Sequence, residues 1–167
     1  FATLFAGRWC ILTPPDDVDA QAVDALSDFW TKLGAKVELM DPDHHDLVLA
    51  VPSHVPHLIA FTSVGTASEL EDGTRAEVIK YSAGGFRDFT RIAASDPVMW
   101  RDVFLNNKSA VLEMLGRFTE DLTALQRAIR SGDGEKLHEL FTRTRAIRRE
   151  VIDQGQDDSK PDFGREH

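Results

Sequence analysis

The periodicity of this chain changes once, at Asp41-Pro42, and nothing else in it constrains the fold as much. Ahead of that point, residues 8–13 form a short apolar run stopped by Pro14-Pro15, which reads as a buried strand. Asp16-Asp17 is a plausible helix start. Val18, Ala22, Ala25, Leu26, Phe29, Trp30 and Leu33 then keep helical spacing as far as Gly34, which stands where a helix commonly ends. Residues 36–40 are a second short strand. Strand, helix and strand of this length make one βαβ unit of the kind found in parallel nucleotide-binding sheets. One such unit is too small to stand alone, and the chain opens on Phe1 in mid-pattern. Both features lead us to expect the trailing end of a larger sheet, in a longer protein.

Beyond Pro42 the pattern is helical almost throughout. Residues 43–70 read as one long helix, interrupted at Pro52 and bent at Pro56, where proline removes a backbone donor. A short helix is expected over 74–81, a loop over 82–86, a helical stretch over 88–94, and a new helix from Asp96-Pro97. Val111, Leu115, Phe118, Leu122, Leu125 and Ile129 alternate steps of four and three, a narrow heptad-like seam. Ser131 to Gly134 is a turn. Leu137, Leu140, Phe141, Thr144, Ile147 and Val151 are expected to face inward on a final helix. The polar residues 155–167 read as a mobile tail. The expected fold is therefore mainly α: a helical domain over 42–154, preceded by a βαβ remnant over 1–41.

Composition narrows the function. A hydrophobic content of 42% supports a core, and a formal net charge of −9 disfavours a nucleic-acid partner. The late arginines Arg143, Arg145, Arg148 and Arg149 stand among acids and read as a solvated helix face. Cys10 is the single cysteine, so an intramolecular disulfide and a cysteine-rich zinc site are excluded. It reads as a core thiol, in keeping with a reducing cytoplasm. No apolar run approaches the ~20 residues that cross a bilayer, so no membrane partner is expected, and no signal peptide is evident.

Two motifs carry chemistry. In Ser53-His54-Val55-Pro56-His57, the histidines lie three apart and so share a helix face, with a proline between them. Downstream, Gly84-Gly85-Phe86-Arg87-Asp88-Phe89-Thr90-Arg91 sets a glycine pair near two arginines. The glycines permit close approach or positive φ, and a guanidinium grips a carboxylate with two parallel bonds. Together they suggest a pocket for a small acidic ligand, with His54 and His57 on one wall and Arg91 on another. Trp100 follows Asp96-Pro97 and could close the pocket with one N–H donor, or simply fill a core. Ser53 and Thr90 are candidates for orienting the histidines and the arginine. Each has a plainer reading: His54 and His57 as ordinary helix histidines, Arg91 as a surface ion pair with Asp88 or Asp96. A zinc site ranks low, because no third ligand accompanies the pair.

These motifs resemble the prephenate/arogenate (cyclohexadienyl) dehydrogenases of tyrosine biosynthesis. That family carries Ser-His-Leu-Pro-His, later Gly-Gly-Gly-Phe-x-Asp-x-Thr-Arg-Ile-Ala, and then Asp-Pro-x-x-Trp. Here the counterparts are residues 53–57, 83–93 and 96–100, and the likeness runs from the first residues to about Asn107. Ala83 replaces the first glycine, and Pro52 stands where the family has a small or β-branched residue. The resemblance implies a substrate wall made by His54, His57, Gly84, Arg91 and Trp100, with Arg91 on the ring carboxylate. It implies a helical domain interleaved with its twin in a homodimer. It also implies oxidation of prephenate or arogenate with NAD or NADP, with loss of CO2.

Part of that machinery lies outside these residues. No Gly-x-Gly-x-x-Gly is present for a dinucleotide, and the family's general-base histidine is expected upstream. No catalytic residue is therefore assigned here, and this chain alone is expected to be inactive. Two other readings stay open: another 6-phosphogluconate-dehydrogenase-like oxidoreductase, and a helical dimerisation or ligand-sensing module that binds an acidic metabolite.

Overall fold

The computed structural model describes residues 3–69, 77, 80–81 and 84–153. The helix expected over 74–81 falls largely outside them, and the expected tail falls wholly outside.

Strands β1 (Trp9–Leu12) and β2 (Lys36–Leu39) pair in parallel, with Cys10 opposite Val37 and Leu12 opposite Leu39. Helix α1 (Ala20–Lys32) connects them and packs on β2. It starts later than Asp16-Asp17 suggested. The Val18 N–H closes a turn on the Pro15 carbonyl, and Asp19 is the cap, its carboxylate accepting from the Gln21 N–H at 2.9 Å. Gly34 takes φ 90° just past the helix end, with Ala6 Cα 3.2 Å from where a Cβ would sit, so only glycine is comfortable there. Cys10 is only half-buried, not a core thiol. A two-stranded sheet with one helix on it has too little material to cover both faces, and Trp9, Phe29 and Leu39 are each more than half exposed.

The rest is helical. Helix α2 (Pro42–Leu49) runs into a π-helical turn (Ala50–His54) and then α3 (Val55–Ser68). Helix α4 (Gly84–Thr90) leads into a 3-10 turn (Arg91–Ala94). Then come α5 (Pro97–Asn106), α6 (Lys108–Ser131) and α7 (Gly134–Asp153). Asp41 and Asp96 use one device: each carboxylate caps a helix whose first residue is proline, where the missing N–H costs nothing.

Two expectations change. The loop over 82–86 is already helical from Gly84, so neither Gly84 nor Gly85 uses a positive φ. The long helix is not simply bent at Pro56. Pro52 sits inside a widened turn, closed by the Val55 N–H on the Ala50 carbonyl five residues back, and Pro56 falls in the first turn of α3. A π turn accepts a residue that cannot donate where an α-helical ladder would lose a bond.

Taken as one run, Pro42–Ser68 spans 27 residues, and its most apolar window has a mean hydropathy of 1.5. By length and composition alone it could cross a membrane, contrary to the expectation from apolar runs. Its histidines and prolines interrupt the run without lowering its average enough. Only 22% of that window is buried within the chain.

The chain divides into two compact units, Phe1–Leu115 and Gly116–His167. In the first, α3 packs on α4 and on the Arg91–Ala94 turn, and the core gathers Ala50, Val55, Ala60, Trp100 and Val111. The second is a helical hairpin whose turn is set by Gly132 at φ 69°, with the Asp133 N–H reaching back to the Ala128 carbonyl at 2.9 Å. Of the α7 residues expected to face inward, Leu137 and Leu140 are partly covered, while Phe141, Thr144, Ile147 and Val151 are exposed. A helix with a single neighbour has only one contact line to bury.

Candidate functional site

The Ser53–His57 element forms the polar centre of the first unit. The π turn delivers His54, and α3 begins at once with Val55, Pro56 and His57. His57 donates from Nδ1 to the Ser53 carbonyl at 2.8 Å, one helical turn back. Its ring lies on the Trp100 indole, with centroids 3.6 Å apart and planes 23° from parallel. His54 meets the same indole edge-on, at 6.2 Å and 75°. Phe104, one turn along α5, sits 5.5 Å from it. The two histidines and Trp100 are thus one cluster, held from three elements.

Trp100 is buried, and its Nε1 is enclosed with no hydrogen-bond partner among the described residues.

His54 is anchored by a residue that the sequence reading did not single out. Asn107, the buried polar residue at the junction of α5 and α6, directs Nδ2 to the Asp46 carbonyl at 2.8 Å and to His54 Nδ1 at 3.1 Å. These contacts span 61 and 53 residues of sequence. An asparagine between helices ordinarily reads as a cap, and no local spacing ties it to a histidine so far away. Burial holds the His54 imidazole below its usual 6.5; the Asp46 carboxylate opposes this, while His45 and His57 act with it.

Arg91 opens the 3-10 turn that packs on α3, and it is exposed. The helix bearing His57 and the turn bearing Arg91 are therefore packed neighbours. Asp88 pairs with Arg87 at 3.2 Å, and Asp96 caps α5 with two bonds of 2.8 Å. Gly84 begins α4, where an added Cβ would meet only Asp88 Oδ2 at 3.6 Å, an ordinary contact. Ser53 acts through its backbone carbonyl, and the Thr90 hydroxyl bonds within its own helix to Phe86.

Two open volumes lie away from the cluster. A groove of about 490 Å³ runs between α6 and α7, lined by Phe118, Leu125 and Leu140 with Asp121, Lys136 and Arg143 at its edge. A cleft of about 250 Å³ lies where β1 ends, against α1. Neither includes a residue of the histidine cluster. The turn after β1 offers little to a pyrophosphate: β1 runs into Thr13, Pro14 and Pro15, and prolines have no N–H to donate. Among the described residues no three metal-ligating side chains converge.

Comparison with known proteins agrees with this architecture. The family model "Prephenate dehydrogenase, dimerization domain" matches residues 41–143. A cyclohexadienyl dehydrogenase of Zymomonas mobilis is 44% identical over 148 residues, covering 89% of this chain and 50% of the relative. The crystal structure of prephenate dehydrogenase from A. aeolicus in complex with hydroxyphenyl propionate and NAD+ superposes with a TM-score of 0.83 at 38% identity, over 89% of this chain and 52% of that one. That of Synechocystis arogenate dehydrogenase gives 0.79 at 25% identity, over 89% and 54%. The chain spans about half the length of these relatives. With its mainly helical fold, its short parallel sheet and the matched domain, the chain belongs to the prephenate dehydrogenase family.

Proposed function

We propose that this chain supplies the substrate wall and the dimer contact of an NAD(P)-dependent dehydrogenase that oxidatively decarboxylates prephenate or arogenate. The carrying observation is the cluster in which His54 and His57 both abut Trp100, with His57 on a helix packed against the turn that bears Arg91. In this reading the Arg91 guanidinium binds a substrate carboxylate through paired N–H bonds, and His57 and His54 orient the polar groups of the ring. Trp100 backs the histidines and limits their rotation. Gly84 keeps the start of α4 free of a side chain beside the ligand. The cofactor and the general base belong to the rest of the protein, and none of these residues substitutes for them.

The apolar run Pro42–Ser68 is read as covered by a second copy and not by lipid. Support comes from the dimerization domain that the family model describes, and from two prolines and a π turn in mid-run. A cytoplasmic location goes with this reading.

The test is turnover by the complete protein with prephenate, then arogenate, under NAD and NADP in turn, alongside an Arg91→Ala variant. Turnover that falls sharply in the variant, with the fold intact, supports the reading. Turnover unchanged by the variant removes Arg91 from the site. A folded protein that binds an acidic metabolite but never turns over makes the sensing module the better account.

A further inference from the structure

Two backbone carbonyls dictate how the histidine pair is protonated. A carbonyl oxygen only accepts. The Asp46 carbonyl, 2.8 Å from the Asn107 amide, therefore requires the NH2 end of that amide. The same nitrogen faces His54 Nδ1 at 3.1 Å and brings its second hydrogen there, so His54 Nδ1 has to be the lone-pair nitrogen. When neutral, His54 then carries its proton on Nε2. At His57 the logic runs the other way. The Ser53 carbonyl, 2.8 Å from His57 Nδ1, requires a proton on that nitrogen and leaves the His57 Nε2 lone pair open.

We propose that Asn107 is a positioning residue that fixes His54 as the Nε2–H tautomer, so that the two histidines present opposite edges: a donor from His54 and an acceptor from His57. Such a pair fits a ligand that offers an acceptor oxygen beside a hydroxyl proton, and it discriminates against one that offers two acceptors alone. Both rings are further constrained by the shared indole of Trp100, which blocks the ring flips that would exchange donor and acceptor. Burial, with His45 and His57 nearby, lowers the affinity of His54 for a second proton and so favours the neutral ring to which the tautomer applies. Use of the paired edges on substrate rests on the substrate-wall reading above; the tautomers themselves do not.

The experiment is nitrogen-15 NMR of the histidine side chains in this chain, at a pH well above 6.5 where the His54 ring is neutral. Signals are assigned by their disappearance in His54→Gln and His57→Gln. We expect His54 to give a pyridine-like Nδ1 and a pyrrole-like Nε2, and His57 the reverse. Asn107→Asp, whose carboxylate only accepts, should move the His54 proton to Nδ1 and raise the pH at which His54 titrates. Asn107→Ala should average the two His54 tautomers while leaving His57 unchanged. A wild-type His54 protonated on Nδ1 overturns the proposal whatever the chain binds, and so does a His54 signal that ignores Asn107→Asp in a folded variant. If the substitutions unfold the chain, the wild-type spectrum alone still decides. Correct tautomers in a protein that never binds or turns over prephenate or arogenate would support the assignment to Asn107 and defeat only the functional reading.

Discussion

The two units of this chain differ in where their polar side chains find partners. In the first, polar groups are brought together across long stretches of sequence: Asn107 reaches Asp46 and His54, and a buried indole carries two imidazoles. In the second, Thr123, Ser131 and Thr144 bond back to carbonyls three or four residues earlier, and large apolar residues such as Ile129 and Phe141 stay more than half exposed. The first unit has organised its chemistry within one chain. The second has left its hydrophobic material for something else to cover. Buried polar contacts specify one arrangement, because breaking them leaves groups unsatisfied, whereas an apolar helix face specifies only that it should be covered.

Substitutions can break this comparison. Trp100→Ala removes the indole that both histidines touch and should destabilise the folded chain by about 3–5 kcal/mol, read by denaturant unfolding. A near-neutral result would mean that the cluster is not the core of its unit. If Arg91 binds substrate as proposed, Arg91→Ala should reduce kcat/KM of the complete protein by the equivalent of about 2–5 kcal/mol while the chain stays folded. A loss of stability instead would make Arg91 a structural residue.

The His54 ring gives a smaller, pH-dependent effect. Its affinity for protons is lower in the folded chain than in the unfolded one, so the unfolded state takes up more protons as pH falls. The stability it contributes is fully present above 6.5 and is lost as pH falls through the lower folded value. Melting curves across that range should slope in the wild type and flatten in His54→Gln; an equal slope in both would assign the effect to other groups. The smallest expected change in single-chain stability is that of Ile129→Asp, within about 0.5 kcal/mol, because the side chain is 66% exposed. The same substitution should shift sedimentation toward monomer if a second copy covers that face, and should leave it unaltered if that face stays open to water.

Much of the fold was legible because it is local. Asp-Pro caps, the glycine that ends α1, the turn at Gly132 and the helical spacing of apolar residues all act within a few positions. What failed depended on distant partners or on competition between backbone geometries. Cys10 looked like a core residue because its neighbours are apolar, but burial depends on what packs over a strand. Gly84 looked like a loop residue, yet the chain there enters a helix. The π turn was invisible because an α ladder and a π ladder demand similar residues, and only the placement of Pro52 hinted at it. In the site, His54, His57 and Trp100 could be named from their motifs, while Asn107 could not, since its role exists only after α2 and the α5–α6 junction meet.

The π turn also uncouples two phases. An α-helix advances about 100° per residue, so the face that α2 presents would normally dictate the face of α3. The extra residue held between Ala50 and His54 resets that dial. Asp46 can therefore turn its carbonyl toward Asn107 while His57, farther along the same run, lies against Trp100. Shortening the turn by one residue would preserve both helices and most of their hydrophobicity, yet rotate one relative to the other by about a quarter of a circle. The site would then be dismantled by angle alone, with every one of its side chains still present.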